Sequence, residues 1–175
     1  MSIGKWDKRK VCAALLLCWP LMTGSAHFRT GFDERILSAH NRERAALGLP
    51  SLSWNPDLAA GAKRWSDHLA RTGEFAHSPD YPGDKRIGEN IWGGTSDLYS
   101  PEAMVTLWIS EKRHFRPGIF PANSVTGDVT DVAHYTQLVW RDTQQVGCHL
   151  SRGASEEVLV CRYSSPGNLI GQKVL

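Results

Sequence analysis

Apolar residues recur at intervals of three and four in three stretches of this chain and alternate with polar ones in a fourth, which predicts three helices followed by a hairpin. The first helix opens near Asp33, a residue type that caps helix starts, and runs through Ile36, His40 and Leu47 to Gly48, with Pro50 preventing continuation. The second has the clearest boundaries. Asn55 caps it, Pro56 takes the first helical position, Leu58, Ala62, Trp65 and Leu69 share a face, and Gly73 ends it. A third starts at Ser100 and Pro101 and spaces Met104, Leu107, Trp108 and Glu111 three and four residues apart. Towards the C-terminus Val146, Cys148 and Leu150 alternate, as do Leu159, Cys161 and Tyr163, with Arg152, Gly153, Ala154 and Ser155 between them as a turn. With the turn centred near Ala154 and Ser155, the two cysteines face each other across the hairpin.

Proline and glycine mark two long loops, one from Phe75 to Trp92 carrying His77 and Gly88-Glu89-Asn90, the other from Phe115 to Asp131. Loops of that length inside a compact domain usually carry function. There are no repeats, low-complexity tracts or linkers. Helices first and a hairpin last indicate a mixed α+β class in a single domain. Glu111 breaks the third stripe. A buried carboxylate without partners costs several kcal/mol, so this residue either lines a cleft with donors waiting or lies in solvent beside Lys112 and Arg113 where the helix ends.

The N-terminus follows a different pattern. Basic Lys5 to Lys10, apolar Val11 to Trp19 and small Gly24 and Ala26 form the three parts of a secretory signal, with cleavage expected after Ala26 and the domain over 27–175. The apolar run is shorter than the roughly 20 residues of a membrane span. An uncleaved anchor is the other reading. Leu17 before Cys18 does not suit a lipidation signal. Export places the protein in the extracellular space or a periplasm.

Composition supports one folded domain: 41% of the 175 residues are hydrophobic and 22% charged. The net charge of +2 resides in the signal. Removing Lys5, Lys8, Arg9, Lys10 and Asp7 with it turns 20 basic and 18 acidic residues into 16 and 17. No basic block remains for nucleic-acid binding. Only Cys148 and Cys161 outlast the signal, and in an exported protein they form a disulfide; buried free thiols are the alternative.

Metalloprotease, nucleophile-elbow, phosphate-loop and dinucleotide-binding motifs are absent. What remains is His77, Glu89, Glu111 and His134, each beside aromatic or apolar neighbours rather than in a charged run.

A set of short blocks then carries a resemblance: His40-Asn41 with Arg44, Gly48-Leu49-Pro50, Leu52-Ser53-Trp54, His77-Ser78, Gly88-Glu89-Asn90-Ile91, Trp108 to Glu111, His134 to Trp140, Gly147-Cys148, and Cys161-Arg162-Tyr163 through Asn168. Together they resemble the CAP superfamily of cysteine-rich secretory proteins, antigen 5 and plant pathogenesis-related proteins. The resemblance implies an α-β-α sandwich around a mainly antiparallel sheet, with His77, His134, Glu89 and Glu111 on the floor of a cleft. It also implies a divalent cation such as zinc held there, with the acids orienting the histidines or a bound water. A metal-free polar brace is the other reading.

Two functions follow from this likeness. One is a non-enzymatic binding module for a lipid, sterol or extracellular protein, with Phe115, Ile119 and Phe120 as an apolar rim unless those side chains cover the core. The alternative is a metal-assisted hydrolase or peptidase, with Glu89 or Glu111 as general base. The chain lacks the extra cysteines of plant members and the cysteine-rich extension of animal ones, so channel regulation tied to that extension is not expected.

Overall fold

The computed structural model describes residues 30–79 and 87–175. The expected signal, with its cleavage point after Ala26, lies outside the described residues. Helix α1 (Phe32–Ala46) starts one residue before the expected cap, behind a left-handed Gly31, and Asp33 falls in its first turn, where a carboxylate still meets the positive helix end. Helix α2 (Pro56–Thr72) forms between the expected signals: Asn55 Oδ1 accepts from the amides of Asp57 at 2.8 Å and Leu58 at 3.1 Å, and Gly73 turns left-handed at the end. Helix α3 (Pro101–Ile109) is capped by Ser100 but ends before Glu111, because the chain tightens into a 3-10 turn over Ser110–His114. Glu111 therefore belongs to that turn and not to the helical stripe. A second 3-10 turn (Val129–Asp131) leads into α4 (Ala133–Leu138).

Four strands, β1 (Ser53–Trp54), β2 (Gly88–Thr95), β3 (Gln145–Arg152) and β4 (Glu156–Ser164), form one sheet in the order β1-β3-β4-β2. Among the described residues only the short β1–β3 pairing is parallel. The segment Gly88 to Trp92, expected as loop, is instead the start of edge strand β2. Its glycines obscure the strand pattern, and its partner β4 is remote in sequence.

Alternation sorts the sheet residues onto two faces. Val146, Cys148, Leu159, Cys161, Tyr163 and Trp92 join α1, α3 and α4 in the larger core. Ile91, Val158 and Val160 pack with Ala62 and Leu69 of α2 in the smaller one. The architecture is thus the α-β-α sandwich with a mainly antiparallel sheet. Cys148 and Cys161 are register partners and are bonded across 13 residues, which removes the free-thiol reading. Closing a loop of that size contributes on the order of 3 kcal/mol.

The loop after the first 3-10 turn packs inward. Phe115 meets Tyr135 edge-on with ring centres 5.3 Å apart, and Phe120 meets Trp140 at 6.2 Å. Phe120 is buried, and of the three residues expected as an apolar rim only Ile119 is largely exposed. The aromatics cover the core.

Helix α2 lies so close on β3 that a Cβ at Gly147 would sit 2.3 Å from Ala59 N and 2.4 Å from Asn55 O. Those are backbone atoms that cannot turn aside. At Gly93 the nearest atom to a Cβ belongs to the outer edge of the exposed Phe75 ring, at 3.0 Å, and the backbone oxygen of Glu157 is at an ordinary 3.9 Å. Gly147→Ala should therefore cost about 1–3 kcal/mol in denaturant unfolding, and Gly93→Ala about 0.5 kcal/mol or less. Equal effects at the two positions would refute the close packing of α2.

Candidate functional site

After α2 the chain runs back along β2, tied by the Trp65 indole N–H to the oxygen of Ala76 at 2.9 Å. This brings His77 and Ser78 onto Glu89. Nδ1 of His77 lies 3.0 Å from Glu89 Oε1, the Ser78 amide donates to the same oxygen at 2.9 Å, and the Ser78 hydroxyl donates to Oε2 at 2.8 Å. Arg162, opposite Glu89 on β4, places Nε 3.4 Å from Oε2. The side chain of Glu89 is 8% exposed, whereas that of His77 is 66% exposed. Burial pushes the Glu89 carboxyl up, but His77, both Ser78 donors and Arg162 together bring it below the ordinary glutamate value. The hydrogen bond to Glu89, aided by its charge, raises His77 above the ordinary imidazole value against partial burial.

A second pair has the same design. Nδ1 of His134 lies 2.6 Å from Glu111 Oε1, while the amides of His134 and Tyr135, at the start of α4, both donate to Oε2 at 3.0 Å. The carboxylate thus occupies the positive end of α4, reached from the 3-10 turn. Trp108 lies parallel to the His134 ring at 6.0 Å, so the imidazole has a face as well as an edge held.

Carboxylate oxygens only accept, so in both histidines Nδ1 carries a proton, and in the neutral ring Nε2 keeps its lone pair. The pairs lie on the two sides of the edge strand. Glu89 shares its face with Ile91 and Arg162, toward α2, and its neighbour Asn90 points to the opposite face, where it donates to the oxygen of His134 at 3.0 Å.

A family model described as the cysteine-rich secretory protein family, CAP, matches residues 37–163. The chain belongs to the CAP family. Pathogenesis-related protein 1C of Nicotiana tabacum is 31% identical over 159 residues, covering 90% of this CAP chain and 88% of its own length. Mouse glioma pathogenesis-related protein 1 is 29% identical over 147 residues, and the match spans 78% of this chain but 54% of that protein. Among solved structures NaASP2, crystallised with Zn2+, superposes with a TM-score of 0.68 at 20% identity, over 81% of this chain and 83% of that one. That likeness is one of fold.

The expected residues of this CAP domain thus come together two by two: His77 with Glu89 and His134 with Glu111. Among the described residues no group of three or more His, Cys, Asp or Glu side chains is placed to hold a metal. The chemistry of each donor still fits a zinc-type ion, since an imidazole whose Nδ1–H is held by a carboxylate is the usual form of a histidine ligand. The acids are committed to the histidines and not free as ligands. Sequence reasoning assigned no role to Ser78, Asn90 or Arg162. The Arg162 partnership depends on the register of β2 with β4, which no local pattern reports.

The pair has a defined pH window. Glu89, depressed, contributes above its ordinary pKa of 4.5 and is lost as pH falls through its lower folded value. His77, raised, contributes fully below 6.5 and is lost as pH rises through its higher folded value. By NMR, the His77 ring should titrate above 6.5 and move toward it in Glu89→Gln. An unchanged midpoint in that variant would show the pair absent in solution.

Proposed function

We propose that this CAP domain is an exported binding module that holds a divalent cation of the zinc type through Nε2 of His77 and Nε2 of His134, and uses that site to engage an extracellular ligand. One observation carries the reading: each histidine has its Nδ1 held by its own carboxylate, leaving the outer nitrogen as the donor. The ion would supply a localised positive charge with open coordination positions. The zinc-containing crystal of the similarly folded NaASP2 supports the choice of ion. The buried disulfide supports export. Among the described residues no helix is long and apolar enough to cross a membrane.

The same bonds disfavour hydrolysis. Glu89 accepts three hydrogen bonds and lies 3.4 Å from Arg162 Nε, and Glu111 accepts three hydrogen bonds. A general base needs a free lone pair facing a water, and two imidazoles fall short of the three protein ligands usual for catalytic zinc. Lipids and sterols gain little from the expected rim, where Phe115 and Phe120 are turned inward. An extracellular protein meeting the metal face is the partner this site favours.

Calorimetry with zinc at neutral pH should show binding to the wild type and none to a folded His77→Ala, His134→Ala variant. Binding should weaken as pH falls through the raised His77 value, because the proton competes for Nε2. Absence of zinc binding in the wild type would leave a metal-free brace. Zinc-dependent peptide turnover lost in Glu111→Gln would instead favour the hydrolase.

A further inference from the structure

The two His–Glu pairs stand on separate parts of the chain. His77 and Glu89 belong to the return segment and β2, whereas Glu111 and His134 belong to the 3-10 turn and α4. One ion shared by both histidines therefore requires β2 and α4 to be held at a fixed offset. Asn90 makes that connection. It follows Glu89 on β2, is 2% exposed, and directs its Nδ2 to the peptide oxygen of His134 at 3.0 Å and to the hydroxyl oxygen of Tyr163 at 3.3 Å.

Tyr163 is itself anchored. Its hydroxyl lies 2.8 Å from Nε2 of His40, and Nδ1 of His40 lies 2.9 Å from the oxygen of Ile36. A carbonyl only accepts, so Nδ1 carries the His40 proton and Nε2 of the neutral ring accepts the tyrosine proton. Burial holds the pKa of His40 down to about 4, which keeps the ring neutral at physiological pH. The bonds then run in one direction, from the Asn90 amide to Tyr163, from Tyr163 to His40, and from His40 to α1. A carboxylate at position 90 would face the His134 oxygen with like charge, and an aliphatic side chain would leave the Tyr163 end without its donor.

We infer that Asn90 is a positioning residue of the metal site, which sets His134 against the His77–Glu89 pair from a hydrogen-bonded line through Tyr163 and His40. The inference rests on the metal-site reading above for its purpose, but the link itself has a metal-free signature. In Asn90→Ala the zinc dissociation constant should rise about 10- to 100-fold. The imidazole Nδ1–H resonance of His134 in the metal-free protein should also shift, with that of His77 unmoved. Tyr163→Phe, which removes one oxygen and keeps the ring, should change both readouts in the same direction by less; it also serves if Asn90→Ala does not fold.

A residue that only stabilises the fold would lower the melting temperature and leave the dissociation constant of the folded protein alone. A folded Asn90→Ala that binds zinc like the wild type overturns the inference, as does an unmoved His134 resonance. Should the wild type bind no zinc, the metal reading fails, while a shifted His134 resonance still upholds Asn90 as the residue that places His134.

Discussion

A buried guanidinium holds the half of the molecule that carries His134. Arg44 is fully enclosed, and its donors reach four backbone oxygens: Nε to Pro50 at 2.8 Å, Nη1 to Leu138 at 3.1 Å and Trp140 at 2.9 Å, and Nη2 to Thr143 at 3.0 Å. Burial lowers its pKa only to about 10, so it remains charged at neutral pH. Enclosing such a charge costs several kcal/mol unless its hydrogen bonds are filled, and here charge-assisted bonds to carbonyls fill them. In one step the arginine joins the end of α1, the turn at Pro50, the C-terminal end of α4 and the segment entering β3. Lysine, with its donors at a single point, could not span those four oxygens. Since His134 lies in the first turn of α4, the position of a site histidine is fixed from the far end of its own helix.

That arrangement explains what the sequence disclosed and what it withheld. Helix α2 was legible because its signals are local: an Asn cap, a proline at the first position and a glycine at the end act within a few residues. The hairpin was legible because period-two alternation around one turn admits one register, and the cysteines confirm it by bonding. Helix α1 was half legible. Ile36, His40 and Arg44 recur every four residues on a buried face, and the two polar members look like interruptions until Tyr163 and the four carbonyls are in place. Strand β2 and helix α4 were missed for a shared reason. Glycines weaken the first pattern, six residues are too few to show a helical period in the second, and both are stabilised by remote partners.

Glu111 shows how a broken pattern can be informative and still mislead about geometry. Its place at the end of an apolar stripe suggested a helix continuing into a cleft, but the helix stops at Ile109. The solvated alternative fares no better, because three donors meet the carboxylate. The resemblance to CAP proteins, drawn from blocks scattered over the chain, put it in one group with His134, and those two side chains lie in contact. It could not say that the four residues divide into two pairs on either face of an edge strand, since that follows from the alternation of Glu89 and Asn90 within β2.

The donors already held by the two acids bear on the chemistry such a group could support. A carboxylate that accepts hydrogen bonds on both oxygens is a fixed negative charge that orients its neighbours, and taking up a proton would break contacts already made. The Glu89 pKa moves in the corresponding direction, below its ordinary value despite burial. Of the four residues, the atoms left without a partner of their own pair are the Nε2 nitrogens of the two imidazoles, each held at Nδ1. An imidazole nitrogen of this kind suits borderline cations such as zinc. Under the proposed function, the two carboxylates orient the imidazoles and the Nε2 atoms serve recognition.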